Sequence, residues 1–132
     1  MGAWGPGSFE NDSALDWFGD LEDGGVELLR ETLEHAADAD DDEYLEVDEA
    51  SAALAAAEIV AAARGKGDER LDDDAVEWTA GSRRDITDAD LALARRAVVR
   101  VIAKSEVQEL WDEGGTNNEW RPVVDELLRR LS

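Results

Sequence analysis

The stretch from Ala52 to Ala63 constrains the fold more than any other part of this chain. Every residue in it is apolar except Glu58, so a helix formed here would be apolar on all sides. Such a helix is stable only when other elements surround it, and its many alanines let neighbouring backbones approach closely. We therefore predict a central Ala-rich helix over about 46–64, with the rest of the chain packed around it.

Further helices are predicted from the 3.6-residue spacing of apolar positions and from capping and stop signals. Their expected ranges are about 13–21, 26–37, 73–80, 87–111 and 117–131. We find no alternation typical of strands and no internal repeat. The expected fold is all-α: a compact bundle of five or six helices, forming a single domain over residues 1–132.

The chain opens with a turn-prone and aromatic segment. Glycines at positions 2, 5 and 7 with Pro6 favour tight turns. Trp4 and Phe9 are too apolar to be left in water, so we expect a Gly/Trp-rich N-terminal arm that packs on the body of the protein. An Asn-Asp-Ser sequence at 11–13 then starts the first helix.

Four blocks of the chain resemble domain-of-unknown-function family 4259. They are the opening GAWGPGSFENDSALDW, the Ala-rich AAAEIVAAA, the segment SEVQELW and the closing EWRPVVDELLRRL. The resemblance implies a small, helical, single-domain prokaryotic protein without an assigned activity. It supplies no catalytic residues to carry over.

The net charge of −21 is distributed unevenly. Residues 1–63 hold 18 of the 34 acidic residues against one base, Arg30. This field repels nucleic-acid phosphates and anionic lipid surfaces, so we expect neither nucleic acid nor membrane as a partner. Three explanations of the charge stay open: solvation in a high-salt cytoplasm (halophilic adaptation), attraction to a basic partner, and binding of divalent cations.

Composition limits the cellular compartment and the kinds of catalytic chemistry that we expect for this chain. The chain has no Cys, and Glu58 and Arg64 interrupt its longest apolar run, which is too short to span a membrane. We therefore expect a cytoplasmic protein without disulfides. There is no Gly-rich phosphate loop and no catalytic constellation, so no cofactor and no catalytic residue are assigned.

Glu58 is the first candidate for a site because it lies in the apolar helix. A buried carboxylate must find hydrogen bonds or a cation, or else become neutral. It could accept N–H groups from the N-terminal arm, pair with an arginine of the long helix 87–111, or act as an acid in a pocket. The polar cluster of Asn11, Asp12 and Asp16, with Trp4, would line that pocket; helix capping explains the same cluster without a ligand.

The acidic segment after the second helix has part of a calcium-loop pattern. Asp38, Asp40, Asp42 and Glu49 stand at loop positions 1, 3, 5 and 12. Position 6 is Glu43, where the turn needs glycine, and acids are so dense here that such spacings arise by chance. We therefore assign no specific metal site to these residues.

Bases concentrate in the second half of the chain. Arg96, Arg100 and Lys104 form an i, i+4 stripe on the long predicted helix. We predict that this stripe faces the acidic first half within the fold. His35, on a charged helix, is expected at the surface.

Two function classes follow from these observations. The first is a non-enzymatic, acidic protein-binding module, in an immunity- or antitoxin-like version that masks a basic partner. The second is a carboxylate-based enzyme, metal-dependent or acid–base, with Glu58 in its pocket. A third reading makes the acidic surface a matter of solvation in salt alone. The oligomeric state is not determined by the sequence.

Overall fold

A computed structural model describes residues 12–40, 42–66, 73–103, 105 and 120–131, without the side chains of residues 12, 13 and 120. Five α-helices and one 3-10 helix make up this part of the chain, which contains no strand. They are α1 (Asp12–Ala37), α2 (Val47–Ala63), α3 (Asp73–Ser82), a 3-10 helix (Arg83–Asp85), α4 (Asp88–Ala103) and α5 (Trp120–Arg130). The predicted all-α bundle is confirmed.

Helix α2 is the centre of the bundle. It contacts each of the other four α-helices, and every residue from Ala53 to Ala61 is buried. A reciprocal capping box between Glu46 and Glu49 fixes its start. The all-round apolar pattern therefore predicted both the helix and its place in the fold.

Helix α1 is broken at Gly25, whose φ of 68° and ψ of −161° are accessible in practice to glycine alone. The indole N–H of Trp17 donates to the hydroxyl of Thr32 at 2.8 Å. On a straight helix these residues would be about 22 Å apart along the axis, so the segments 12–24 and 26–37 fold back on each other. The two helices predicted for this region are confirmed as the two arms of α1.

Helix α4 is shorter than predicted. It ends at Ala103 and Ser105 lies outside it, whereas the sequence suggested a helix to about Trp111. The hydroxyl of Ser105 donates to the carbonyl of Val101 at 2.9 Å. Thr32 and Thr79 form the same bond within α1 and α3, so the bond of Ser105 is compatible with a helix and does not by itself end α4.

The N-terminal arm predicted over the first eleven residues lies outside the described residues, and so do Trp4 and Asn11. None of the described helices is both long enough and apolar enough to cross a membrane.

Candidate functional site

Glu58 is buried in α2 and forms an ion pair with Arg130 at the end of α5. Its side chain is 1% exposed. The two Arg130 terminal nitrogens reach its two carboxylate oxygens at 2.6 and 3.3 Å. This two-pronged contact matches the fork of a guanidinium to a carboxylate. Of the alternatives open for Glu58, pairing with an arginine is observed, but this arginine comes from α5 and not from the long helix α4. The alternative of N–H groups from the N-terminal arm lies outside the described residues.

The same arginine also joins α5 to the end of α2. Arg130 donates to the carbonyl of Lys66 at 3.0 Å. Val124 and Leu127 of α5 are buried, and so is Leu131, which follows the helix. Both oxygens of Glu58 thus accept bonds from a cation that is itself only 14% exposed. This arrangement suits a structural anchor, because a general acid or base needs access to a reacting group.

Of the other members of the predicted pocket, only Asp16 has a described side chain. Asp16 is exposed on the first arm of α1. Asp12 begins α1, but its side chain lies outside the description, as Trp4 and Asn11 do entirely. The predicted cluster of these residues with Glu58 therefore stays a prediction.

The acidic segment 38–43 is held by bases of α4. A terminal nitrogen of Arg96 lies 2.6 Å from the carboxylate of Asp38. The guanidinium of Arg100, which is almost fully buried, donates to the carbonyls of Asp40 and Glu43. The prediction that the basic stripe faces the acidic half of the chain is confirmed for Arg96 and Arg100, whereas Lys104 lies outside the described residues.

The calcium-loop pattern does not converge on one point in the described part of the chain. Asp38 is paired with Arg96, and Asp40 and Asp42 are exposed. Glu49 contacts the imidazole of His35 with one oxygen and accepts from the backbone N–H of Glu46 with the other. Among the described residues, no group of three or more potential ligands could hold a metal ion. His35 is at the surface, as predicted.

Sequence reasoning missed the ion pair of Arg30 with Asp90. The Arg30 Nε and a terminal nitrogen lie 2.8 and 3.0 Å from the Asp90 carboxylate, and Arg30 also donates to the carbonyl of Asp85. Thr87 adds its backbone N–H at 2.9 Å. The sequence did contain a signal for this ion pair, because Arg30 is the one base in the acidic first half of the chain.

These bonds set the ionisation of the pair. Burial raises the pKa of Asp90, but the bonds from Arg30 and Thr87 outweigh it and leave the pKa below its usual value. The bond to Asp90 raises the pKa of Arg30. The pair is therefore charged at neutral pH and joins the second arm of α1 to the start of α4.

The outer side of α1 carries carboxylates that these contacts leave unused. None of them forms an ion pair or a side-chain hydrogen bond with any described residue, and all are exposed. We call this set the α1 acidic surface: Asp16, Asp20, Glu22, Asp23, Glu27, Glu31 and Glu34. It extends over both arms of α1.

The ion pairs formed by the described bases do not involve this surface. Those in ion pairs have acidic partners elsewhere: Asp90 for Arg30, Asp88 for Arg64, Asp38 for Arg96, Asp125 for Arg121, Glu126 for Arg129 and Glu58 for Arg130. Of the seven carboxylates of the α1 acidic surface, Glu27 alone is recorded as interacting electrostatically with a described base, Arg30, and none forms an ion pair with one.

Comparison with known proteins gives a family but no activity. No curated protein and no solved structure matches the chain. One family model, described as a domain of unknown function (DUF4259), matches residues 2–122. That range includes the helices α1 to α4, among them the central helix α2, and the start of α5. The chain therefore belongs to the DUF4259 family.

Proposed function

We propose that this protein is a non-enzymatic binding module whose α1 acidic surface docks a basic protein. The supporting observation is that seven exposed carboxylates on α1 form no ion pair with a base in the described part of the chain; Glu27 alone interacts electrostatically with Arg30. Exposed carboxylates that form no ion pair keep their full charge in water. Carboxylates left open on one surface are available to a partner instead.

The helix that carries the α1 acidic surface is also fixed to the rest of the bundle. Its second arm is held to α4 by Arg30 and Asp90, and the two arms are held to each other by Trp17 and Thr32. Carboxylates on a supported surface keep their spacing, so a partner loses less freedom on docking. An immunity- or antitoxin-like protein that masks the phosphate-binding face of a basic partner would have these properties.

The mechanism of such binding is electrostatic steering. A strongly negative face raises the rate of encounter with a basic protein, and added salt screens the attraction. Binding should therefore weaken as salt rises, and most of the loss should be in the association rate.

Two charge-matched variants test the proposal. The first changes three residues of the α1 acidic surface: Asp20→Asn, Glu31→Gln and Glu34→Gln. The control changes three exposed acids of α3 by the same total charge: Asp73→Asn, Asp74→Asn and Glu77→Gln. Each tagged protein is used to capture partners from lysate of the source organism at low and at high salt, with quantitative mass spectrometry.

Support requires one basic protein, retained near stoichiometrically at low salt and lost at high salt. It must also be lost from the α1 variant but retained by the α3 variant. Equal loss from both variants would mean that net charge alone attracts the protein. Capture of nothing at either salt would contradict the proposal and leave solvation as the role of the charge.

A further inference from the structure

The loop between α1 and α2 carries an exposed aromatic side chain. In the described part of the chain, three large apolar side chains are exposed, namely Tyr44, Val76 and Val99. Tyr44 is the one aromatic residue among them and is 44% exposed. Single exposed apolar residues are ordinary on protein surfaces, so the exposure of Tyr44 has meaning only together with the residues around it.

The backbone on both sides of Tyr44 is fixed to the bundle. The residue after it, Leu45, is fully buried. Before it, the guanidinium of Arg100 donates to the carbonyl of Asp40 at 2.9 Å and to the carbonyl of Glu43. The backbone N–H of Glu43 also donates to the carbonyl of Asp40 at 2.9 Å. The ring of Tyr44 is therefore exposed on an ordered segment, and a partner that contacts it loses little freedom of the backbone.

Exposed carboxylates lie next to this ring. Asp42 and Glu43 directly precede Tyr44, and Asp40 lies four residues before it. All three are exposed, and none of their carboxylates forms an ion pair with a described residue. Consecutive Cα atoms are about 3.8 Å apart, so the Cα atoms of Asp42 and Tyr44 are at most about 7.6 Å apart. One long basic side chain can span that distance and contact both the ring and a carboxylate.

A ring beside carboxylates suits arginine better than lysine. The guanidinium is planar and weakly hydrated, so it stacks on an aromatic face while its N–H groups donate to carboxylates at its edge. The ammonium of lysine is a compact and strongly hydrated charge, which pairs with a carboxylate but gains less from the ring. Carboxylates without an aromatic neighbour, such as those of α3, attract both residue types by charge alone.

We propose that Tyr44, together with the carboxylates before it, binds an arginine side chain of the basic protein that docks on this molecule. The inference rests on the proposed function and names the side chain that anchors that partner. The loop directly follows the second arm of α1, which carries part of the α1 acidic surface. An interface of ordinary size covers about 800 Å² on each partner, enough to include both the arm and the loop.

The ring and the α1 acidic surface contribute to different steps of binding. Carboxylates attract a basic partner over a distance and raise the association rate, which salt reduces. An aromatic ring acts only in contact, so it slows dissociation. Removing the ring of Tyr44 changes no charge at neutral pH. The loss of affinity that it causes should therefore be similar at low and at moderate salt.

Fluorine NMR on the full-length chain tests this inference. The chain contains a single tyrosine, so incorporation of fluorotyrosine gives one signal, which reports on Tyr44 alone. The labelled protein is titrated at low salt with a hexapeptide of arginine and with a hexapeptide of lysine, which carry equal charge. At equal saturation, measured by titration calorimetry, the arginine peptide should shift the signal more than the lysine peptide does.

Charge-neutral variants of the unlabelled protein supply the second measurement. Tyr44→Ala should raise the dissociation constant of the arginine peptide by about two- to fivefold and leave that of the lysine peptide nearly unchanged. Tyr44→Phe should keep the wild-type affinity, because the ring face is retained. Val76→Ala is the control, since it shortens an apolar side chain that is 51% exposed on α3, and it should change neither constant. Circular dichroism verifies that each variant is folded.

The outcomes separate this inference from the proposed function. If the arginine peptide binds without shifting the signal of Tyr44, or binds Tyr44→Ala as tightly as wild type, the inference is overturned while the proposed function stands. A loss with Tyr44→Phe as large as with Tyr44→Ala would also overturn it, because the hydroxyl and not the ring face would then be the contact. If neither peptide binds at low salt, both proposals fail.

Discussion

At the residue scale, two buried or half-buried ion pairs join parts of the chain that are distant in sequence. Glu58 and Arg130 are 72 residues apart, and Arg30 and Asp90 are 60 apart. Both pairs have a carboxylate that is almost inaccessible, with side-chain exposures of 1% and 5%. A buried carboxylate is costly when it loses its cation, so each pair fixes the helix that supplies the arginine.

Replacing Arg130 alone should lower the free energy of unfolding more than replacing both Glu58 and Arg130. We expect Arg130→Met to destabilise the fold by about 3–5 kcal/mol, because Glu58 loses its cation inside the bundle. The double variant Glu58→Met with Arg130→Met should lie within about 1 kcal/mol of wild type. Urea denaturation at pH 7 measures both. Arg129→Met, in an exposed pair with Glu126, is the control and should cost less than about 1 kcal/mol.

If the single and double variants lose the same free energy of unfolding, the loss is caused by the missing packing of the Arg130 side chain and not by the unpaired charge on Glu58.

The lowered pKa of Asp90 makes its contribution to stability depend on pH. A carboxyl whose pKa is lower in the folded than in the unfolded chain stabilises the fold above the unfolded pKa. That stabilisation is lost as the pH falls below about 4 and through the folded pKa. The free energies of unfolding of wild type and Asp90→Asn should therefore differ most near neutral pH and approach each other in acid. A constant difference between pH 7 and pH 3 would contradict the assignment.

At the scale of single elements, α1 shows how one glycine shapes a helix. Gly25 adopts a backbone conformation that other residues scarcely reach, and it lets the two arms fold back so that Trp17 meets Thr32. The break also divides the α1 acidic surface between two arms. A straight helix of the same sequence would present one long acidic line instead.

Alanine substitutions at two glycines of α1 should have opposite effects. Gly25→Ala should destabilise the fold by about 1–3 kcal/mol because of its backbone angles. Gly19→Ala should stabilise it by about 0.5–1 kcal/mol, since Gly19 lies in a regular helical stretch where an added Cβ meets nothing within 4 Å. Chemical denaturation of the two variants measures both effects. Stabilisation by both alanines would mean that the break at Gly25 is not required.

At the scale of the whole molecule, net charge opposes the compact state. Arg96 of α4 pairs with Asp38 of the acidic segment 38–43, but no carboxylate of the α1 acidic surface forms an ion pair with a described base. The acidic residues of the folded protein therefore repel each other, and either a basic partner or dissolved salt would weaken this repulsion.

Stability should accordingly rise with ionic strength. Between low salt and 1 M NaCl we expect a gain of at least about 1 kcal/mol, or about 4 °C in Tm. Most of the gain should come at the lower concentrations, where the screening length changes most. The variant Asp20→Asn, Glu31→Gln, Glu34→Gln should gain less. A Tm that falls with salt would indicate that the ion pairs outweigh the repulsion.

The sequence alone determined the helical class, the central position of α2 and the break in α1. Each depends on local spacing or on a property of one residue type: an all-round apolar helix must be surrounded, and paired glycines interrupt a helix. It also predicted that bases of α4 face the acidic first half of the chain, because opposite charges in one small domain attract.

Only the tertiary structure decided which residues meet across the bundle. Nothing local links Glu58 to Arg130 rather than to an arginine of α4, or Arg30 to Asp90, because such pairs depend on the angles at which helices cross. Periodicity identifies the face of a helix, but the partner of that face is set by how all the helices pack together.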